Sequence, residues 1–289
     1  MNYRKILVFI VMAFALLALA ACDTEDEQVQ EVTALAEAPS HTSQAQPETQ
    51  AATEAETETA TEPATEAIPF RHVNIPILMY HTSSEHNPGV LAELYVRPSE
   101  FERQIIWLIE NDFTFVTFDD WDYLHTIHRP IMLTFDDGYV ENYTEIFPIL
   151  QRHNARIVLF LALNSIPNHR FSEEMIVSMH NSGLVSFESH TMTHPNLSNI
   201  ADNSGRLRNE LYGSRQAIEE LTGRMPIALA YPAGVANAAV IEMVAEYYHF
   251  GLRSGQGMHN TEFDNFEIRR IRISRSTSLE SFINLVYPR

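Results

Sequence analysis

From about residue 68 onward the chain alternates two kinds of segment, and this alternation constrains its fold more than any other feature. Short apolar runs rich in β-branched and aromatic residues occupy 75–80, 113–118, 131–135, 156–163, 184–188, 227–231, 249–252 and 268–273. Each has the length and composition of a buried strand. Between several of them lie stretches of helical spacing. Residues 99–111 put Phe101, Ile105, Leu108 and Ile109 on one face, with Ser99 as the expected N-cap. Residues 204–222 do the same with Leu207, Leu211 and Ile218 and stop at Gly223, a residue suited to the left-handed conformation after a helix. A third such stretch spans 236–248. Strand–helix alternation over seven or eight units predicts a parallel α/β barrel or sheet, in which functional groups collect at the carboxyl ends of the strands.

The residues before this region follow different rules. Arg4 and Lys5 precede an unbroken apolar run over 6–21, which is shorter than the ~20 residues needed to span a bilayer. The run closes on Leu19-Ala20-Ala21-Cys22, which resembles the lipobox of bacterial lipoproteins. That resemblance implies cleavage before Cys22, lipid attachment there, and a protein held at the extracytoplasmic face of a bacterial cell membrane. Residues 23–69 carry twelve Asp/Glu and no Lys or Arg, typified by the Thr/Glu/Ala-rich stretch 53–63. Such a segment lacks the apolar surface to offset chain entropy and reads as a disordered tether with a span of roughly 40 Å. The expected organisation is therefore a signal peptide over 1–22, a linker over 23–69 and a folded domain over 70–289.

Composition removes several functional classes. The net charge is −19, which argues against a nucleic-acid partner bound through a basic face. Lys5 is the only lysine, so a Schiff-base or P-loop lysine in the domain is excluded. Cys22 is the only cysteine, so the chain builds no internal disulfide, four-cysteine zinc site or iron–sulfur cluster. No feature of the sequence identifies a protein partner or an oligomeric state.

Three strand ends carry chemistry. The run Ile131-Met132-Leu133-Thr134-Phe135 leads directly into Asp136-Asp137-Gly138-Tyr139. Neighbouring side chains on a strand face opposite ways, so two acids share a site only where the strand ends, and Gly138 is the expected break. Paired carboxylates at a rim suit one metal ligand and one base. As an isolated motif they would be a solvated Asp-Gly turn. His190 and His194 follow the strand-like 184–188, and two histidines four apart can share a cation if the segment makes a helical turn. Taken alone, they would be surface or packing histidines, which is how His125, His128, His153, His180, His249 and His259 are read. Finally, 228–230 runs into Tyr231-Pro232-Ala233-Gly234, a turn able to aim a backbone N–H into a cleft.

Thr-Phe-Asp-Asp-Gly (134–138), His-Thr-x-x-His (190–194) and Tyr-Pro-x-Gly (231–234), in this order, resemble the polysaccharide deacetylase family, also called the NodB-homology group or carbohydrate esterase family 4. The opening Pro76-Ile77-Leu78-Met79-Tyr80-His81 resembles a subgroup that includes poly-N-acetylglucosamine deacetylases. The resemblance covers about 72–275. It implies a distorted (β/α)7 barrel and hydrolysis of N-acetyl groups from an acetylated cell-envelope or extracellular polysaccharide. It further implies a divalent metal, zinc first and cobalt or nickel as substitutes, held by Asp137, His190 and His194. Asp136 becomes the general base, the Ala233 backbone N–H the oxyanion donor, and His81 the general acid. Tyr139, Tyr231 and Pro232 become substrate contacts. Two departures stand out. The arginine that many members carry just before the third motif is absent, and Arg270 is the candidate to orient the base in its place. The family's C-terminal Leu-x-His element is also absent. Two further readings follow: a glycan-binding domain that has lost catalysis, and an esterase removing O-acetyl groups from a xylan-type polymer.

Overall fold

The apolar runs form strands because most of their residues are buried whichever way they face. The computed structural model describes residues 71–287 apart from 88, 90 and 165–170. The leader, the tether and Cys22 lie outside the described residues. Among the described residues, seven parallel strands close a barrel: β1 (Ile77–Tyr80), β2 (Pro130–Phe135), β3 (Ile157–Leu161), β4 (Val185–Ser189), β5 (Ala228–Ala230), β6 (Phe250–Gly255) and β7 (Ile268–Arg272). Sequential neighbours pair from β1 to β7, and closure comes from β7 pairing back on β1 through Ile271↔Leu78 and Arg272↔Met79.

The period-two alternation of a strand divides the core in two. Ile77, Met132, Val158, Phe160, Ala228, Ala230, Leu252 and Ile268 fill the barrel interior. The alternate residues, among them Leu78, Tyr80, Leu133, Phe135, Leu159 and Phe187, pack outward with Phe101, Ile105, Leu150, Met179, Ile218 and Phe282 from the surrounding helices. These helices are α1 (Pro98–Glu110), α2 (Phe147–His153), α3 (Glu173–Asn181), α4 (Ser204–Arg208), α5 (Ser214–Thr222), α6 (Ala238–Ala245) and α7 (Leu279–Val286). No helix of the described residues is long and apolar enough to cross a membrane.

Several local expectations need correction. α1 opens on Pro98 at its first turn, with Arg97 at the cap position and no side-chain cap, so Ser99 lies inside the helix. Proline suits this place because its missing N–H would have no intrahelical partner anyway. The expected helix over 204–222 runs through to its left-handed cap at Gly223, widened to a π-helical turn at Asn209–Gly213, and its N-cap is Asn203, whose side chain accepts from the Arg206 N–H at 3.0 Å. The expected strand at 113–118 shortens to Thr114–Phe115, which pairs on the outer edge of β2 rather than entering the barrel. Between β6 and β7 no helix forms among the described residues, so that side of the barrel is covered only by loop and the short strand His259–Asn260.

Candidate active site

Strand phase delivers the first acid. Met132, Thr134 and Asp136 share parity on β2, so Asp136 continues the inward-facing row past the strand end. Asp137 would face outward on a continued strand. It is turned instead by its own φ of 74°, followed by Gly138 at 87°. The break therefore begins one residue earlier than expected. Gly138 suits its angle, and a Cβ there would also meet Leu161 Cδ1 at 2.5 Å, so that side chain would have to move.

The two histidines converge without a helical turn. His190 continues the inward row of β4, while Thr191 and His194 adopt φ of 71° and 57° and fold the chain back. Glu210, buried on the apolar side of the helical region beside Leu207 and Leu211, anchors this loop. Its carboxylate accepts the N–H groups of Met192 and Thr193 at 3.0 and 2.8 Å and the Thr193 hydroxyl at 2.6 Å. Sequence reading missed Glu210, although its spacing from Leu207 marked a buried acid. The His190 Nδ1–H donates to the Ala230 carbonyl at 2.7 Å, which leaves the Nε2 lone pair facing the site.

Three donor atoms meet there. His190 Nε2 and His194 Nε2 lie 3.5 and 3.4 Å from Asp137 Oδ1 and 3.1 Å from each other, and all three residues offer ligand atoms within 4.8 Å of one another. Burial holds both imidazoles neutral, with His190 lowered to about 3. Lone pairs crowded on one point fit a divalent cation between them, and three protein donors leave positions open for water and substrate. Asp137 is pushed up to about 7, first by burial and then by the Asp136 charge beside it.

Asp136 is held differently. Arg270, 1% exposed, lies in the barrel core with its guanidinium carbon 5.4 Å from the centre of the Phe160 ring. Nη1 donates to Asp136 Oδ1 at 2.6 Å and to Thr134 Oγ1 at 3.2 Å, and Nη2 donates to Asp136 Oδ2 at 2.8 Å. Burial alone would raise the Asp136 carboxyl, but this guanidinium, aided by the nearby imidazoles, holds it well below the usual carboxylate range. The adjacent acids thus have opposite protonation behaviour. Asp136 Oδ2 lies 3.9 Å from His190 Nε2.

These groups border one cavity of about 400 Å³ at the carboxyl ends of the strands, together with His81, Tyr139, Ala233, Ser254 and Arg272. His81 follows β1 directly, and its pKa is lowered to about 4, first by burial, with Arg270 and Arg272 adding and Asp136 opposing. Tyr139 is half-buried at the rim, 6.1 Å from the Tyr95 ring, and burial together with Asp137 pushes its hydroxyl up to about 12. Ala233 is exposed with a φ of 60°. Tyr231 borders this cavity, as a sugar contact would, although its ring packs largely into the core. The Tyr231 ring is fully buried with Val240, Val244 and Tyr248, and its hydroxyl donates to the Phe266 carbonyl at 3.0 Å. Pro232 is buried and does not line the cavity. Both residues support the turn from behind. Arg272 and Ser254 were missed. Only their inward phase at the ends of β7 and β6 marks them, and strand ends are hard to locate from pattern alone.

A parallel barrel that carries an Asp/His/His donor triangle and a guanidinium-clamped carboxylate at the carboxyl ends of its strands has the parts of a hydrolase acting on an acyl group. Residues 124–249 match the family model described as polysaccharide deacetylase. It is 26% identical over 286 residues to YxkH, a polysaccharide-deacetylase-type protein of Bacillus subtilis (strain 168), covering 96% of this chain and 97% of that one. It is 27% identical to the poly-beta-1,6-N-acetyl-D-glucosamine N-deacetylase of Staphylococcus epidermidis, over 62% of this chain and 68% of that protein. The fold matches the crystal structure of a polysaccharide deacetylase from Bacillus cereus with a TM-score of 0.70 at 29% identity, covering 74% of this chain and 69% of that one.

Proposed function

We propose that the protein is a metal-dependent N-deacetylase acting on an N-acetylglucosamine-containing polysaccharide of the cell envelope or its surroundings. The observation that carries this reading is the Asp136 carboxylate, clamped by Arg270 and standing 3.9 Å from the donor nitrogen of His190. Asp137, His190 and His194 would hold the ion, zinc first, since an Asp/His₂ set also accepts cobalt or nickel. When bound, such an ion lowers the pKa of water toward ~7 and polarises a carbonyl. Asp136 takes the proton as water attacks the acetyl carbon, and Arg270 keeps that carboxylate ionised and aimed. The Ala233 N–H donates to the oxyanion that forms, a contribution of about 3 kcal/mol for one such donor. His81 protonates the departing nitrogen, because an amide anion leaves poorly. Burial lowers the His81 pKa to about 4, and the Asp136 charge is what works against this to favour the protonated ring.

Acetate release from acetylated glucosamine oligomers is expected to stop on chelation and return with zinc. Asp137→Ala is expected to bind no zinc by metal analysis and to release no acetate. Absence of release by zinc-loaded protein from chitin-, poly-N-acetylglucosamine- and peptidoglycan-type substrates would refute the reading. The alternative of a domain without catalysis rested on the missing third-motif arginine, and the Arg270 contact with Asp136 removes that reason. His81→Gln is expected to slow N-deacetylation by ~10²–10⁴ and hydrolysis of O-acetyl esters far less, because an alcohol leaves more easily. A variant that loses nothing on the amide would reduce His81 to a packing residue.

The leader supports a place for this activity at the outer face of a bacterial membrane, anchored through lipid on Cys22. Labelled fatty acid is expected to enter the full-length chain in cells and not Cys22→Ala, and equal labelling of both would remove the anchor.

A further inference from the structure

The cleft does not end at the donor triangle. Met79, Ser254 and Arg272 line both the cavity of about 400 Å³ and a second one of about 650 Å³, which runs over Gln256 and Gly257 to Leu285 on α7. Each is within the ~300–1,000 Å³ range of small-ligand pockets. The second cavity lies beside the stretch between β6 and β7 where no helix forms. It offers an apolar wall and one amide, and among the described residues no carboxylate lines it. Arg272 stands at the seam. It is exposed, and among the described residues its guanidinium makes no hydrogen bond or ion pair. This contrasts with Arg270 two residues earlier, whose charge is fully committed to Asp136.

We infer that the second cavity is a subsite for the neighbouring sugar of a linear chain, and that Arg272 makes it selective for a neighbour that is still acetylated. The inference rests on the deacetylase reading. Each turnover replaces a neutral acetamide with an amine that is protonated in mildly acidic solution. An ammonium in the second subsite would then face this guanidinium; the Glu93 carboxylate acts on Arg272 from a distance but does not line the cavity, and among the described residues no carboxylate there offsets the charge. In a partly solvated cleft, like charges several ångströms apart change a binding constant by about tenfold. Acetyl groups are therefore removed at spaced positions rather than in contiguous blocks.

The test uses zinc-loaded protein in mildly acidic buffer. Its substrates are defined N-acetylglucosamine mono-, di- and tetrasaccharides, with both half-deacetylated disaccharides, and the products are sequenced by mass spectrometry. The expected results are a kcat/KM at least about tenfold higher for the disaccharide than for the monosaccharide, and a preference of about tenfold for the fully acetylated disaccharide over one of its half-deacetylated forms. Spaced removal in the tetrasaccharide is expected as well. Arg272→Gln should bring the preference close to unity, and Leu285→Trp should remove most of the gain from the second sugar. Equal turnover of mono- and disaccharide, equal turnover of acetylated and half-deacetylated disaccharides, or full discrimination in Arg272→Gln would each overturn the inference. Failure of every substrate to release acetate would strike the deacetylase reading itself, and this inference with it.

Discussion

Asp136→Asn is expected to lower kcat for acetate release by ~10²–10⁴ while leaving zinc content unchanged. The amide is nearly isosteric, so it still fills the space before Arg270 and its oxygen still accepts one of the two guanidinium hydrogen bonds. It cannot take a proton from water. The donor atoms that would hold the ion belong to Asp137, His190 and His194, none of which is altered. Loss of turnover with retained metal is therefore the signature of a base, whereas loss of both would make Asp136 a ligand. The measurement is steady-state kinetics at saturating zinc beside metal analysis of the same sample. Activity within tenfold of wild type would move the base elsewhere, with Asp137 the only other carboxylate bordering that cavity among the described residues.

Arg270→Leu is expected to destabilise the domain by about 3–5 kcal/mol, because it leaves the carboxylate of Asp136 buried without its partner. For a domain of this size that corresponds to a fall in Tm on the order of 10 °C. The bidentate contact, the bond to Thr134 and the stacking on Phe160 are lost together. The pH dependence has a definite sign. Asp136 in the folded protein titrates below its unfolded value of ~3.9. Its contribution is complete above that value and is lost as pH falls through the folded one. Without the guanidinium, burial raises the Asp136 carboxyl of the variant above its unfolded value, so the gap in Tm between wild type and Arg270→Leu should be largest near neutral pH, begin to narrow above pH ~4 as the variant's carboxyl takes up its proton, and narrow further in stronger acid. Asp136→Asn combined with Arg270→Leu should cost less than the sum of the two, since each single change strands the other's charge. Additive losses, or a gap that widens in acid, would mean that the pair is not a stabilising unit.

What could be read in the sequence was whatever near neighbours decide. The short apolar runs are strands because their residues are buried on both faces, and the Asp-Asp-Gly and Tyr-Pro-x-Gly groups sit at strand ends because chain-breaking residues follow an apolar run. That is enough for a parallel strand–helix fold and for a rim carrying two acids and two histidines. The backbone route was not legible. The histidines meet through left-handed angles at Thr191 and His194, in a loop held by Glu210 from a helix well downstream. Nor was the direction of Tyr231, whose ring turns into the core because Val240, Val244 and Tyr248 offer it apolar surface there.

Alternation, motif order and residue chemistry, all local properties, were determined by the sequence alone; they put two acids and two histidines at one rim, and the family resemblance assigned Asp137, His190 and His194 as the expected metal donors and Asp136 as the expected base. Only closure of the barrel decided what holds that base. Arg270 and Asp136 are 134 residues apart, and they face each other because β7 pairs with β1, β1 with β2, and both side chains take the inward phase. Register around a closed sheet depends on every strand at once, and no stretch of sequence near either residue encodes it.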